Sequence, residues 1–268
     1  MHAELGVFGG SGFYSFLDDA TEVELDTPWG PPAAPVTIGE VAGRRVAFLP
    51  RHGRDHDRNP AQVPYRANLW AMRELGVSRI FGPCAAGSLQ PSIAPGHVVV
   101  CDQLVDRTWG RPDTFFDGAE VVHIAFADPY CPELRATAIA AVRGQGVTVH
   151  ERGTMVVIQG PRFSTRAESR AYAAQGFEVI GMTQHPEAYL ARELGLCYAT
   201  LAMVTDYDAG LEGHPDVAAV TMDQVVAVFE ENLGRLRAVL HDALASVPLE
   251  RTCSCAEAAG GKVPAPPS

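Results

Sequence analysis

The chain has 268 residues, 47% hydrophobic and 20% charged, with 21 Lys and Arg against 32 Asp and Glu for a formal charge of −11. That length buries a sizeable core and that composition is ordinary for a globular chain, but so acidic a protein lacks the basic surface of electrostatic nucleic-acid binding. No apolar run reaches the roughly 18 residues of a membrane span, and the start carries no basic region or long apolar stretch, so no signal peptide and a cytoplasmic location are expected.

Taken in chain order, residues 5–8 read as a short buried strand that ends in Gly9-Gly10-Ser11-Gly12. The Pro-rich stretch 27–35 reads as a surface excursion. Residues 36–38 and 45–49 read as paired strands, and 65–75 as a helix with Leu69, Trp70, Met72 and Leu75 on one face. Residues 79–81 form a strand running into Gly82-Pro83-Cys84-Ala85-Ala86-Gly87-Ser88, and 97–101 another. A helix over 132–145 precedes strands near 148 and over 155–159. Residues 165–175 read as a helix. A β-α-β pattern follows, with a strand over 177–180, a helix from Pro186 and a single strand over 197–204. An amphipathic helix spans 221–245, with Val225, Val226, Val228, Phe229, Leu233 and Leu236 as its apolar set. This alternation predicts one mixed α/β domain over 1–250. The Ala, Gly and Pro-rich end predicts a disordered tail over 251–268.

Cys84, Cys101, Cys131 and Cys197 lie in apolar contexts and read as small hydrophobes. Cys253-Ser254-Cys255 is not Cys-x-x-Cys, and no second Cys or His pair at zinc spacing accompanies it. Free surface thiols and a disulfide are its two readings. No His-Glu-x-x-His or comparable cluster appears, so no metal is expected.

Several apolar runs end abruptly in polar groups, as expected at the carboxyl edge of an α/β sheet. Gly9-Gly10-Ser11-Gly12 fits neither a dinucleotide fingerprint nor a P-loop, which leaves a phosphate-binding turn or a structural one. Arg51-His52-Gly53-Arg54-Asp55-His56 follows a strand and offers a planar fork and an imidazole for an oxyanion, or simply a charged turn. Met182-Thr183 closes one strand-like run, and Asp206-Tyr207-Asp208 another. Two carboxylates at a buried strand end are costly unless something hydrogen-bonds them. A purine base, with ring N–H and amino groups, is one such partner.

Seven stretches in order carry a resemblance: Gly9–Gly12, 49–54, 63–71, 102–108, 159–164, 181–183 and 202–208. Together they resemble the methylthioadenosine phosphorylase branch of the purine nucleoside phosphorylase superfamily. The resemblance runs from residue 5 to about 245. It implies a single α/β domain with a distorted mixed sheet flanked by helices, assembled as a homotrimer or a dimer of trimers. It implies reversible phosphorolysis of a nucleoside with inorganic phosphate as co-substrate, and neither organic cofactor nor metal. By the same resemblance Ser11, Arg51, His52, Cys84, Ala85 and Thr183 contact phosphate. Many members carry threonine where Cys84 stands, and a thiol is the weaker donor. Met182 packs under ribose and base, and Asp206, Tyr207 and Asp208 face the purine. Met222 is either ordinary helix packing or a wall for the 5′ group, and His123 reaches the site from a neighbouring subunit.

The chemistry this implies is electrostatic. Phosphate stabilises an oxocarbenium-like ribose and attacks its anomeric carbon, while a protonated Asp206 gives a proton to N7 of the leaving base. Asp206 and His52 are thus the catalytic candidates. A carboxylate at 206 suits a 6-amino purine, whereas members preferring 6-oxo purines place asparagine there. The expected substrate is S-methyl-5′-thioadenosine. A general purine nucleoside or methylthioinosine phosphorylase is the nearer alternative, and a non-catalytic nucleotide-binding protein the remote one. Tyr130 and the Gly-rich stretch 209–215 read as surface, or as a lid.

Overall fold

A computed structural model describes residues 1–118, 120–211, 221–262 and 264. The first half of the chain runs β1 (Leu5–Gly9), β2 (Thr21–Val23), β3 (Val36–Val41), β4 (Arg44–Pro50), α1 (Tyr65–Glu74), β5 (Arg79–Phe81), β6 (Cys84–Ser88), β7 (Val98–Val99) and β8 (Gln103–Arg107). The second half runs α2 (Pro132–Gly144), β9 (Val149–His150), β10 (Thr154–Ile158), α3 (Arg166–Ala174), β11 (Val179–Gly181), α4 (Gln184–Glu193), β12 (Cys197–Ala199), β13 (Ala202–Tyr207) and α5 (Met222–Ser246).

The strands build two mixed sheets, one of six in the order β12-β5-β1-β4-β3-β2 and one of seven in the order β8-β10-β11-β6-β13-β7-β9. In the first sheet, β12, β5, β1 and β4 are parallel, and β3 joins β4 as the antiparallel pair the sequence predicts. Both faces of the parallel core are covered, which is why its strands read as nearly continuous apolar runs. Phe8, Ile80 and Tyr198 face Leu69 and Met72 of α1 and Leu190 of α4. Leu5, Val7 and Phe81 face Leu134 of α2 and Leu236 and Leu240 of α5.

The stretch read as one strand over 197–204 is two strands. β12 ends at Ala199 in the first sheet and β13 begins at Ala202 in the second. The chain between β5 and β6 makes the same crossing beside it. Gly82 N–H donates to Ala199 O at 2.9 Å, Cys84 N–H to Leu201 O at 3.1 Å, and the Thr200 hydroxyl to Gly82 O at 2.8 Å. Residue 82 must be glycine, since a Cβ there would sit 1.9 Å from the Tyr198 hydroxyl.

The helices follow the sequence within a residue or two. Thr165 caps α3 in a capping box with Glu168. The helix expected from Pro186 is joined to one turn before it, with His185 out of helical conformation. On α5, Val225 and Leu236 are buried and Val226, Val228 and Leu233 partly so, while the side chain of Phe229 lies outside the described residues.

The expected tail at 251–268 is corrected in its described part. Residues 254–257 form a 3-10 turn with Cys255 buried. Thr252 N–H donates to Glu133 at 2.9 Å, Arg251 donates to Gly195 O at 3.0 Å, and a Cβ on Gly195 would meet the Ala256 carbonyl at 3.2 Å. The segment packs because its thiols, Thr252 and Arg251 all find partners on the body, which composition alone does not reveal.

Among the described residues, the core holds a buried ion pair at the floor of the strand ends. Arg51 and Glu187 are both fully buried, and the guanidinium grips the carboxylate with Nε to Oε2 at 2.5 Å and Nη2 to Oε1 at 2.6 Å. Removing one partner strands a charge in the interior. Glu187→Ala is expected to lower unfolding stability by about 3–5 kcal/mol, read by urea denaturation; a loss below about 1 kcal/mol would mean the pair is not sealed from water.

Candidate active site

A cavity of about 460 Å³ opens where the strand ends of both sheets converge. Gly10 and Ser11 follow β1, Arg51 and His52 follow β4, Cys84 to Gly87 lie on β6, Met182 and Thr183 follow β11, and Thr205, Asp206 and Asp208 belong to β13 and its end. Ten of the twelve predicted residues therefore line one cavity: Ser11, Arg51, His52, Cys84, Ala85, Met182, Thr183, Asp206, Asp208 and Met222.

Two predicted residues do not line it. Tyr207 lies between the two carboxylates on β13, where strand alternation turns it away. Within its own chain His123 lines a separate depression with Phe126, His185 and Tyr189. The lid reading is corrected at Tyr130, which is buried and stacked at 6.2 Å on Tyr198. Most of the stretch 209–215 lies outside the described residues.

A β-bulge sets the carboxylate end. On β13, Val204 pairs with Ala86 and Asp206 with Gly87, leaving Thr205 as the extra residue. A bulge re-aims the side chains beside it. The Thr205 hydroxyl donates to Asp206 Oδ2 at 2.8 Å, and the Ser164 hydroxyl donates to Asp208 Oδ2 at 2.5 Å. Gly87 leaves room for both, since a Cβ there would lie 3.0 Å from Asp206 Oδ1 and 3.4 Å from Asp208 Cβ. Burial, with Asp208 adding to it and Thr205 opposing, pushes the Asp206 carboxyl up to about 6.

The opposite end is polar and nearly charge-neutral. Burial opposes the Arg51 charge, but Glu187 outweighs it and holds the guanidinium charged. Its Nη1 reaches Pro83 O at 3.3 Å and lies 3.3 Å from where a Gly10 Cβ would stand, so the glycine opens the guanidinium edge to the cavity. His52 is not the cation its type suggests. Burial and the Arg51 charge push it down to about 3. Its Nδ1 lies 2.9 Å from Arg58 O; a carbonyl only accepts, so Nδ1 carries the proton and Nε2 is free to accept. Thr183 is buried, and its hydroxyl makes no capping bond to α4.

The Cys84 thiol, at the cavity wall, already has a partner in the core. Its sulfur lies 3.7 Å from Thr200 Oγ1, and the one Thr200 hydroxyl proton is already given to Gly82 O. The thiol is therefore the donor in that contact.

Sequence reasoning missed His56, Asn59, Phe163 and Ser164, which also line the cavity. His56 stacks on His52 at 4.5 Å, and its place in the Arg51–His56 stretch was the available signal. It also missed Arg111, whose guanidinium donates to His185 O at 2.5 Å, Gln159 O at 2.8 Å and Met182 O at 2.9 Å. Arg111 thus ties the end of β10 to the Met182-Thr183 turn. No local pattern marks that role.

Comparison with known proteins gives the family. The profile of the phosphorylase superfamily matches residues 4–245. The chain is 57% identical over 262 residues to S-methyl-5′-thioadenosine phosphorylase of Mycolicibacterium smegmatis, covering 97% of this chain and 98% of that protein. It is 55% identical over 274 residues to a purine nucleoside phosphorylase of Streptomyces coelicolor, covering 98% and 97%. Methylthioadenosine phosphorylase from Schistosoma mansoni, solved in complex with adenine, superposes with a TM-score of 0.90 at 35% identity over 97% of this chain and 96% of that one. With its strand-end cavity, paired carboxylates and polar anion end, the chain belongs to the phosphorylase superfamily.

Proposed function

We propose that the protein is a pentosyltransferase that cleaves S-methyl-5′-thioadenosine with inorganic phosphate, giving adenine and 5-methylthioribose-1-phosphate. The observation that carries this reading is Asp206, a half-buried carboxyl facing the cavity and held up to about 6. A protonated carboxyl presents one donor and one acceptor side by side. That pair matches N7 and the 6-amino group of adenine, whereas a 6-oxo purine offers two acceptors there. Sites built on such a match reject the wrong partner by as much as roughly 10⁴-fold.

The steps follow from the arrangement of groups. Phosphate sits among the Ser11 and Thr183 hydroxyls, the Arg51 edge, His52 and the backbone N–H of Ala85. Met182 packs against the ribose. Apolar Met222 and Val225 line the same cavity and suit a thiomethyl group. As the glycosidic bond breaks, phosphate stabilises the positive ribose and attacks its anomeric carbon, while Asp206 passes its proton to N7. Asp208, fixed by Ser164, holds the base in place. No organic cofactor or metal takes part. The enzyme works as a cytoplasmic homotrimer, in which His123 of one chain completes a neighbouring site. Trp109 and Val121, 73% and 70% exposed, are apolar groups that such an assembly would cover. The Streptomyces relative's name supports a second reading, a general purine nucleoside phosphorylase.

Phosphate-dependent release of free base decides between these. Methylthioadenosine is expected to be cleaved at least about 100-fold more efficiently than inosine by kcat/KM, and equal cleavage would favour the general enzyme. No release with any nucleoside would mean a binding protein.

The pH profile tests Asp206. Its proton-bearing form is the active one, so kcat/KM should fall as pH rises through about 6. His52, pushed down to about 3, contributes no ionisation above that. Asp206→Asn should flatten the profile and lower kcat by roughly 10²–10⁴-fold. Because the folded carboxyl binds its proton more tightly than the unfolded one, folding stability falls as pH climbs from about 4 to about 6. Asp206→Asn should therefore raise unfolding stability above pH 6 by about 1–3 kcal/mol.

Cys84→Ala should leave the KM for phosphate within about twofold, since that thiol is spent on Thr200. A rise of tenfold in phosphate titrations would return the thiol to the anion site.

A further inference from the structure

Four cysteines meet on the side of the first sheet away from the α1 and α4 helices. Cys131 precedes α2, Cys197 opens edge strand β12, and Cys253 and Cys255 flank Ser254 in the C-terminal segment. All four sulfurs lie within 4.8 Å of one another. Cys253 is 3.7 Å from Cys131 and 3.3 Å from Cys197, and none of the four is in a disulfide. Three are buried and Cys253 is half-buried.

From this geometry we propose that Cys131, Cys197, Cys253 and Cys255 form a structural tetrathiolate site for zinc. A zinc–sulfur bond of about 2.3 Å places the four sulfurs of a tetrahedron roughly 3.8 Å apart. The spacing observed is close to that and far from the bonded separation of a disulfide. Four soft thiolates with no open position select zinc over hard oxygen-seeking cations. Each thiol that ligates releases its proton to water, so binding strengthens as pH rises. The surroundings favour the resulting negative charge. Arg251 Nη1 lies 3.9 Å from Cys197 Sγ.

None of the four cysteines lines the catalytic cavity, so the site serves to staple the C-terminal segment to β12 and α2. A zinc finger spacing is absent because the ligands come from three remote parts of the chain. Cys253 is 122 residues from Cys131 and 56 from Cys197.

The test uses the full chain, expressed without a metal-binding tag and purified without chelator. About one zinc per chain is expected by elemental mass spectrometry. The reduced, metal-stripped protein should take up Co²⁺ with the intense thiolate-to-cobalt absorption of a tetrahedral tetrathiolate centre. Cys253→Ser combined with Cys255→Ser should cut zinc content at least about tenfold, lower Tm, and leave nucleoside cleavage within about twofold at 25 °C. If that variant does not fold, the cobalt titration of the unaltered chain still decides. No cobalt absorption from the reduced chain overturns the proposal. So does an intact mass four hydrogens lighter than the reduced chain in protein purified from a reducing cytosol, which would show two disulfides instead.

Discussion

The site depends on a charge pair closed off from water. Arg51 lies just past the end of β4 and Glu187 lies in α4, and their two-point contact fixes how the first sheet meets the helix that follows Met182-Thr183. Glu187 Oε1 also accepts from the Tyr198 hydroxyl at 2.6 Å, which brings β12 into the same knot. That hydroxyl has one proton for two neighbours, Glu187 and Gln184 at 2.8 Å. Both neighbours are oxygens, and the charged Glu187 carboxylate is the stronger acceptor of the two. Apolar side chains of equal volume could fill this space at no loss of stability. What they could not supply is a guanidinium edge at the cavity, charged in advance and held still.

That pairing also sets the electrostatics of the anion end. With Glu187 cancelling Arg51 and His52 neutral, the empty site carries little net charge, so its donors can be assembled without mutual repulsion. The other end solves the opposite problem. Asp206 and Asp208 are two residues apart on one strand and both face the cavity, where two bare carboxylates would repel. Asp208 takes a short bond from Ser164, while burial leaves Asp206 inclined to keep its proton. The same desolvation that makes Asp206 expensive to bury makes it an acid.

Much of this was legible in the chain itself. The unbroken apolar run of β1 and helical periodicity in α1 and α5 report burial directly, and abrupt polar ends on apolar runs marked Arg51-His52, Met182-Thr183 and Asp206 to Asp208, the family resemblance adding the rest of the ten residues that share one cavity. What escaped detection has a common cause. The break between β12 and β13 occurs inside one unbroken apolar run, because both halves are buried and only the sheet they join differs. Arg111 acts through carbonyls of residues 48 to 74 positions away, a role with no local signature. His123 carried its assignment by resemblance, and its own chain places it in another depression. The C-terminal segment looked like a tail because its composition is poor in apolar groups, and its attachment rests on specific partners.

Those partners bear on the site through β12. This three-residue strand is the edge of the first sheet, and an edge leaves backbone groups unpaired unless something covers them. Tyr198 O is covered by the Cys131 N–H at 2.8 Å, and the Arg251 contact to Gly195 O holds the turn that enters the strand. Alternation then divides β12 between two tasks. Tyr198 points to the Arg51–Glu187 knot, and Cys197, one residue earlier, points to the cysteine cluster on the other face. Two residues beyond Tyr198 the chain crosses at Thr200 into β13, which carries Asp206. A short edge strand is a weak place from which to position the proposed catalytic acid. The buried ion pair on its inner face makes it a firm one, while the sulfurs on the outer face anchor the C-terminal segment.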